Sequence, residues 1–338
     1  MRNRIIILSV AVIVGLSILL SGCGTEMPKE TATQSQVYVY QGEEVTMAWR
    51  NPAYNKPEYA EGAELSVWVN NKNDPSREYS YSGIIHWVEN KGNNIFSLLC
   101  LPKDYDGTQR YPLLLLVHGY NSNYHEYDYF VNYLTDAGFA VLLFDFRGGH
   151  ESNSLSDGKL TQMSYDTKLS DIRAMVSFAE ALPMIEQENI IFVGHSQGGM
   201  MGAITACTEG LKDRFKGMLL LAPGMRHVTY LDEFGSLENL PESYTILYAK
   251  VGRDFLYSAI KYEEIVWNEV KDYEYPVKIL LGSNDELNKE AGVQEITAAF
   301  GENASYEMVE GGYHDFRDDV LPTLMPETIL PFLNSLVS

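Results

Sequence analysis

The feature that most constrains this chain is Gly194-His195-Ser196-Gln197-Gly198, a G-x-S-x-G sequence. The apolar run Asn189–Val193 before it indicates a buried strand, and the small and apolar residues Gly199–Ile204 after it favour a helix. A serine in this pattern between a strand and a helix is typical of a sharp turn that exposes a nucleophilic hydroxyl group. The flanking glycines permit the turn, because a Cβ atom at either place would clash. We therefore predict that Ser196 is a nucleophile and not an incidental serine in a glycine-rich turn.

The N-terminus predicts export and lipid anchoring. Arg2 and Arg4 precede the apolar run Ile5–Leu20, which is the pattern of a secretory signal peptide. Leu20-Ser21-Gly22-Cys23 fits the bacterial lipobox, so we expect removal of residues 1–22, lipidation of Cys23 and a domain held on the cell membrane outside the cytoplasm. A plain transmembrane anchor is the alternative, but the apolar run is shorter than the about 20 residues that a spanning helix needs.

Beyond the signal, the chain divides into a tether, an extension and one large domain. Residues 23–36 are rich in Thr, Ser, Gln and Glu and predict a flexible tether. Residues 37–77 form an irregular N-terminal extension of unknown role, with strand-like pieces at Val37–Tyr40 and Leu65–Val69. Residues 78–338 are long enough for one large domain, and the hydrophobic content of 45% supports a substantial core.

Within residues 78–338, apolar strands alternate with helices, which indicates an α/β fold with a mostly parallel sheet covered by helices on both faces. Helices are predicted at Tyr124–Ala137 and Asp166–Ala181, the latter because apolar residues recur on one face. The predicted strands are Tyr81–Val88 and Asn94–Leu101 as an antiparallel pair, then Pro112–Val117, Phe139–Phe144, Asn189–Val193, Gly217–Ala222, Val277–Leu281 and Tyr306–Val309.

The alternation breaks between about residues 224 and 276. This segment leaves after one core strand, returns before the next and contains helical stretches such as Asp254–Val270. We interpret it as a helical cap that overhangs the strand ends where Ser196 lies. An ordinary surface loop is the alternative, although loops of this length inside compact domains are usually functional or disordered.

Charge and cysteine content narrow the range of partners. The formal net charge of −21 makes nucleic acids and anionic lipid headgroups unfavourable partners. Cys100 and Cys207 lie among apolar or small residues and are predicted to be buried structural thiols, and a disulfide between them stays open. No His/Cys cluster indicates a metal site, and the oligomeric state is not indicated.

The serine needs a base that takes its proton. With this motif the partners follow in the order Ser, acid, His. Two histidines follow Ser196, and His227 precedes every candidate acid. His314 follows the last predicted strand in a glycine-containing loop, so we predict that it is the base.

The base in turn needs an acid that orients it. Asp285 lies in the loop directly after the strand Val277–Leu281 and is the predicted acid. Glu286 is the second choice because it is adjacent. Asp315 is a weaker candidate, because neighbouring side chains in a loop seldom face each other.

An oxyanion that develops in the reaction needs donors that are already in place. The backbone N–H of Gln197, directly after the nucleophile, is one predicted donor. The other is the N–H of Tyr120, in the loop that begins His118-Gly119-Tyr120 after the strand Pro112–Val117. His118 itself is expected to order this loop and not to react.

From about residue 78 onward the chain resembles the α/β-hydrolase family, and more narrowly the bacterial feruloyl and cinnamoyl esterases and the serine aminopeptidase-like hydrolases. The resemblance implies a Ser–Asp–His triad, hydrolysis of carboxylic esters and no cofactor. One departure is Arg147-Gly148-Gly149-His150-Glu151-Ser152, where the family usually has R-G-x-G-x-S. The matching pieces are His118-Gly119-Tyr120, Asp145-Phe146-Arg147-Gly148, Gly194–Gly199, Leu220-Leu221-Ala222-Pro223, Val251-Gly252-Arg253-Asp254-Phe255, Gly282-Ser283-Asn284-Asp285 and His314.

Three functions follow as hypotheses. The first is a serine carboxylesterase that forms an acyl-enzyme on a small-molecule ester, either feruloyl- or cinnamoyl-type or with a short acyl group. The second is a peptidase or acyltransferase that uses the same triad, and the third is a non-catalytic surface binding lipoprotein. Tyrosines near Tyr120 and in the cap would suit an aromatic substrate, but packing is the simpler reason for them.

Overall fold

The computed structural model describes residues 37–40, 43–46, 50–69, 79–224, 233–317 and 320–337. The signal peptide, Cys23 and the tether lie outside these ranges and remain predictions, and His227 lies outside them too. Among the described residues, no helix has both the length and the apolar character needed to cross a membrane.

The described elements alternate between strands and helices. The strands are β1 (Val37–Tyr40), β2 (Glu43–Thr46), β3 (Glu64–Val69), β4 (Tyr79–Asn90), β5 (Asn93–Cys100), β6 (Tyr111–Val117), β7 (Ala140–Phe144), β8 (Ile185–His195), β9 (Met218–Leu221), β10 (Ser243–Ile246), β11 (Ala249–Gly252), β12 (Val277–Gly282) and β13 (Ala304–Val309). The α-helices are α1 (Val131–Asp136), α2 (Tyr165–Ala181), α3 (Gln197–Ala206), α4 (Arg253–Glu269), α5 (Glu290–Phe300), α6 (Leu321–Leu324) and α7 (Leu330–Val337).

Nine of the described strands form one sheet in the order β13-β12-β9-β8-β6-β7-β5-β4-β3. All neighbours from β13 to β7 are parallel, and β5, β4 and β3 extend the sheet with antiparallel neighbours. The chain runs from β6 to β7 on one side and then to β8 on the other side of β6. Such a reversal opens a crevice at the carboxyl ends of the strands, where open α/β sheets bind their ligands.

Both faces of the parallel strands are covered. Every residue of β7 and of β9 is buried, although successive side chains of a strand point to opposite faces. Burial on both sides is why these strands are continuous apolar runs and not alternating ones. The predicted mostly parallel sheet, covered on both faces, is confirmed.

The helix α2 begins at a capping box. The Ser164 hydroxyl accepts a hydrogen bond from the Thr167 N–H, and the Thr167 hydroxyl accepts one from the Ser164 N–H. The helix ends at Ala181, two residues before Pro183. The capping residues and the proline therefore mark the two ends of the helix in the sequence. The helix predicted at Asp166–Ala181 is confirmed, and it starts one residue earlier.

One local prediction is wrong, and the predicted cap, which contains the expected helix as α4, also has an element that was not predicted. The single helix predicted for Tyr124–Ala137 is instead a 3-10 turn at Tyr124–Tyr127 followed by the short α1. Hydrogen bonds to distant residues prevent this segment from forming one continuous helix. The Tyr124 N–H donates to Asp145, and the Tyr127 hydroxyl donates to the carbonyl of Val117. The region predicted as a helical cap also contains the β-hairpin β10–β11, which ends directly before α4.

The sheet also extends beyond the domain boundary predicted at residue 78. β3, which contains the strand expected at Leu65–Val69, pairs with β4 as the edge strand. Asn51, which is buried, donates from its N–H to Asp157 Oδ1 at 2.7 Å and from its side chain to the carbonyl of Ser154. The other oxygen of Asp157 accepts the N–H of Asn94 in β5 at 2.7 Å. Residues 50–69 are therefore part of the main domain, because their polar groups are satisfied by it.

We expect Asn51→Ala to destabilise the whole domain. The substitution removes the side chain that donates to the carbonyl of Ser154 and accepts the N–H of Ala53, and leaving such buried groups unpaired typically costs about 1–3 kcal/mol of the free energy of unfolding. Urea unfolding followed by circular dichroism would measure the change. Asn55→Ala, at an exposed position four residues away, is the matched control and should leave the midpoint unchanged. Equal midpoints for both variants would show that residues 50–69 do not support the domain.

Candidate active site

Ser196 lies at the tip of a strained turn between β8 and α3. Its backbone has φ 54° and ψ −119°, a region that costs a non-glycine residue about 1–3 kcal/mol. A Cβ atom on Gly194 would overlap the carbonyl oxygen of Gly198, and one on Gly198 would overlap that of Val117. Only glycine therefore fits at either side of the turn. This geometry matches the one predicted for Ser196.

His314 and Asp285 lie within hydrogen-bond distance of each other. His314 Nδ1 is 2.8 Å from Asp285 Oδ2, and the Asp285 side chain is only 1% exposed. The other oxygen, Oδ1, accepts the N–H groups of Leu287 at 2.8 Å and Asn288 at 2.9 Å. Because this carboxylate only accepts, Nδ1 of His314 carries the proton and Nε2 is left to act as a base.

The pKa of Asp285 supports this arrangement. Burial raises the pKa of its carboxyl group, but the hydrogen bonds from His314 and from the backbone N–H of Asn288 outweigh burial and leave the pKa below its usual range. Asp285 therefore stays ionised. The alternative acid Asp315 pairs instead with Arg317, at 2.8 Å. No hydrogen bond joins Glu286 to His314 in the described part of the chain.

The loop after β6 lies against the nucleophile. A Cβ atom on Gly119 would be 3.1 Å from the Cβ of Ser196. The backbone N–H groups of Tyr120 and Gln197 donate to no atom of the residues that the structure describes. Two unpaired N–H groups beside a serine hydroxyl are what an oxyanion hole requires.

The cap hairpin contacts this loop. The Tyr120 hydroxyl donates to the carbonyl of Ala249 in β11 at 3.2 Å, and its ring packs against Phe255 of α4 with the centroids 5.9 Å apart. The hairpin thus lies beside the loop that carries a predicted oxyanion donor.

A buried pair that was not foreseen, Glu126 and His195, connects the parts of the site. His195 Nδ1 is 2.9 Å from Glu126 Oε1, and His195 Nε2 is 2.7 Å from the carbonyl oxygen of His314. Both partners are acceptors, so both ring nitrogens must carry protons and His195 is an imidazolium. Glu126 Oε1 also accepts the N–H of Gly119 at 2.8 Å. The pair therefore holds three segments together. They are the loop of Gly119 and Tyr120, here called the oxyanion loop, the turn at Ser196 and the loop of His314.

The pKa values of the pair follow from its charges. Burial lowers the pKa of His195, but Glu126 outweighs burial and raises it above its usual value. Burial raises the pKa of Glu126, but the charge of His195 and its hydrogen bond lower it overall. Each group therefore keeps the other charged. A sequence signal did exist, since His195 is the variable residue before Ser196 in the motif, but nothing local pointed to Glu126 as its partner.

Asn288 is a further residue of the site that sequence reasoning missed. Its amide donates to the carbonyl of Ala222 at 2.7 Å and lies 3.5 Å from Asp285 Oδ2. Asn288 thereby links the loop of the acid to the end of β9. It is three residues after Asp285, and only the turn geometry brings its side chain back.

The sequence also led to predictions about the two cysteines, metal-binding side chains and His118. Cys100 is buried and Cys207 half-buried, and both are free thiols. In the described ranges, no group of three His, Cys, Asp or Glu side chains could hold a metal ion. His118 is fully buried and bonded on both nitrogens, to Gly119 and Phe146, which agrees with a role in ordering the loop.

Comparison with known proteins supports the fold. Residues 112–265 match a family model described as the alpha/beta hydrolase fold. Est1E from Butyrivibrio proteoclasticus, solved with ferulic acid bound, is 24% identical with a TM-score of 0.63, covering 75% of this chain and 99% of that one. A carboxyl esterase from Bacillus coagulans is 17% identical with a TM-score of 0.60, covering 76% of this chain and 98% of that one.

A curated relative matches a shorter part of the chain. It is an uncharacterised 31.7 kDa protein from the traX-finO intergenic region of Escherichia coli, 33% identical over 95 residues. The match covers 28% of this chain and about a third, 32%, of the relative's length. Together with the sheet order, the comparisons confirm that the chain has the α/β-hydrolase fold.

We expect Glu126→Gln to destabilise the protein by about 3–5 kcal/mol at neutral pH, because it leaves the buried His195 cation without a counter-charge. The pKa of Glu126 is lowered in the folded state, so its contribution is present above the ordinary carboxyl pKa of 4.5 and is lost as the pH falls toward the folded value. The difference from wild type should therefore be smaller near pH 4 than at neutral pH. Chemical unfolding at both pH values measures it.

Glu302→Gln, at an exposed position, is the control for the loss of one carboxylate. If both variants unfolded at the same denaturant concentration, the pair would not hold the three segments together.

Proposed function

We propose that this protein is a serine hydrolase that cleaves carboxylic esters through Ser196, His314 and Asp285. The observation that carries the proposal is the hydrogen bond of 2.8 Å between His314 and Asp285, at the same sheet edge as the strained turn of Ser196. The α/β-hydrolase fold and its likeness to esterases of known structure support it.

The proposed reaction has two halves, formation of an acyl-enzyme and its hydrolysis, and His314 transfers protons in both. Asp285 holds the Nδ1–H of His314, and Nε2 of His314 takes the proton of Ser196 as its oxygen attacks the ester carbonyl carbon. The N–H groups of Tyr120 and Gln197 bind the oxyanion. The tetrahedral intermediate collapses, the alcohol leaves with the proton from His314, and an acyl-enzyme remains. Water, deprotonated by His314, then attacks the acyl carbon and Ser196 regains its proton.

The substrate is proposed to be a small or medium ester, with a hydroxycinnamoyl ester as one candidate. Est1E, which was solved with ferulic acid, motivates that candidate. The tyrosines near the site support it weakly, because Tyr124 and Tyr127 are buried packing residues. Tyr120, in contrast, is half-buried between the oxyanion loop and the cap.

We expect the full-length protein, purified in detergent, to hydrolyse p-nitrophenyl esters and methyl hydroxycinnamates. Ser196→Ala should lower kcat by roughly 10⁴-fold or more, since it removes the nucleophile. Ser305→Ala, at an exposed position of β13, is the control and should be fully active. Amide substrates and added alcohol acceptors, tested in parallel, separate an esterase from a peptidase or an acyltransferase.

Two results would contradict the proposal. Full activity of the Ser196→Ala variant would exclude Ser196 as the nucleophile. Absence of both ester turnover and labelling by a fluorophosphonate in the wild type would exclude an activated serine and would favour a non-catalytic binding protein.

We further propose that the protein is exported and anchored to the bacterial cell membrane by a lipid on Cys23. The support is the pattern of residues 1–23, a basic start, an apolar core and the sequence Leu20-Ser21-Gly22-Cys23. The negative formal charge, −21, is unfavourable for attraction to anionic headgroups, so the lipid itself would supply the attachment.

We expect a bacterial host fed an alkyne fatty acid to label the wild type and Cys207→Ser, but not Cys23→Ser. The reason is that lipid transfer needs the thiol of the lipobox cysteine, while Cys207 lies within the folded domain. Gel fluorescence after click coupling measures the label. Equal labelling of the Cys23→Ser variant would refute the assignment.

A further inference from the structure

Lys168 is a fully buried lysine behind the oxyanion loop. It lies on α2 with no exposed surface. Its ammonium group is 4.2 Å from the centroid of the Phe146 ring and donates to the carbonyl oxygen of Gly119 at 3.4 Å. A buried ammonium is costly unless it is paired or acts on something, and the proposed reaction has so far used no lysine.

The carbonyl that Lys168 contacts is also held by His118. The Phe146 N–H donates to His118 Nε2 at 3.0 Å, which forces Nε2 to be the acceptor. The proton is therefore on Nδ1, which donates to the Gly119 carbonyl at 3.0 Å. Burial and the nearby charge of Lys168 lower the pKa of His118 to about 3, so the ring stays neutral in this tautomer. Two donors, one neutral and one cationic, thus converge on a single carbonyl oxygen.

That carbonyl belongs to the same peptide unit as the N–H of Tyr120. No cis peptide bond occurs in the described residues, so the C=O of Gly119 and the N–H of Tyr120 point in opposite directions. Fixing the carbonyl toward Lys168 and His118 therefore aims the N–H away from them. Glu126 fixes the preceding peptide by accepting the Gly119 N–H at 2.8 Å. The Tyr120 N–H, in contrast, donates to no atom of the residues that the structure describes.

We infer that Lys168, together with His118, is a positioning residue that orients and polarises the Gly119–Tyr120 peptide as an oxyanion donor. This inference rests on the proposed function. A cation on the carbonyl side withdraws electron density from the peptide and makes its N–H a stronger donor, as in other chains of hydrogen bonds. The benefit grows as negative charge develops on the substrate oxygen, so Lys168 acts on the transition state more than on substrate binding.

The electrostatic surroundings of Lys168 are consistent with this role. Burial lowers its pKa to about 7, while the carboxylates of Glu126 and Asp171 raise it. Glu126 is already paired with His195, and Asp171 with Arg147 at 2.6 Å. Neither carboxylate forms an ion pair with Lys168 within the described part of the chain. The ammonium form, which predominates below about pH 7, therefore has the Gly119 carbonyl as its hydrogen-bond acceptor.

The test compares Lys168→Met, which keeps the length of the side chain without its charge, with Arg173→Met on the exposed face of the same helix. Removal of one oxyanion donor costs about 10²–10³-fold in kcat, so weakening one should cost about 10–100-fold. We expect Lys168→Met to show this loss in kcat with little change in KM, and Arg173→Met to be unchanged. Replacing a buried charge by an apolar residue of similar volume is often tolerated, so the variant is expected to fold.

A trifluoromethyl ketone gives a second readout. Ser196 adds to its carbonyl carbon, and the oxygen of the resulting hemiketal occupies the oxyanion site. Its inhibition constant should weaken in Lys168→Met by the same factor as kcat/KM, whereas a smaller fraction of folded enzyme would lower the apparent kcat without changing the inhibition constant. Lys168→Gln keeps an N–H donor without a charge, so its kcat and its ketone affinity should lie between those of the wild type and of Lys168→Met. If Lys168→Met does not fold, Lys168→Gln replaces it, and a parallel loss of kcat/KM and ketone affinity is again the expected result.

The outcomes separate this inference from the proposed function. A wild type that neither turns over esters nor binds the ketone would overturn the proposed function itself. An active wild type, together with a folded Lys168→Met of unchanged kcat and unchanged ketone affinity, would overturn only the role of Lys168. An equal loss in kcat and ketone affinity supports it.

Discussion

The ion pair between Glu126 and His195 is the interaction on which the rest of the site depends. It is buried, and its atoms contact three segments that are far apart in the chain: Gly119, the turn at Ser196 and the backbone of His314. Because His195 must be doubly protonated to donate to both of its acceptors, the link is charged at both ends. A buried charged link of this kind tolerates little displacement, since an unpaired charge in the interior is costly.

Buried carboxylates near the carboxyl ends of the strands hold the loops beside the candidate site. Asp145, directly after β7, accepts the N–H groups of Tyr124 and Leu155, and Asp171 accepts hydrogen bonds from Arg147. Burial raises the pKa of Asp145 to about 6, despite these two hydrogen bonds. These carboxylates accept hydrogen bonds from loop residues, while the N–H groups of Tyr120 and Gln197 donate to no atom of the described residues.

Sequence reasoning was most successful where a local pattern carries the physical cause. The strained serine turn needs glycine on both sides, and strands buried on both faces must be continuously apolar, so both can be read along the chain. The order of Ser196, Asp285 and His314 follows from the order of the strands that deliver them. The reasoning failed at Tyr124–Ala137, where a hydrogen bond from the Tyr124 N–H to Asp145 outweighs local helix preference, and it did not anticipate the hairpin β10–β11.

By itself, the sequence determined the α/β layering, the nucleophile turn and the candidates for base and acid, because each depends on spacing along the chain. Only the tertiary structure decided that Asp285, and not Glu286 or Asp315, faces His314, and that residues 50–69 complete the sheet. It also decided the roles of Glu126, His195 and Lys168. Their side chains act on groups from other elements, and the direction of a side chain in a packed interior is set by all its neighbours at once.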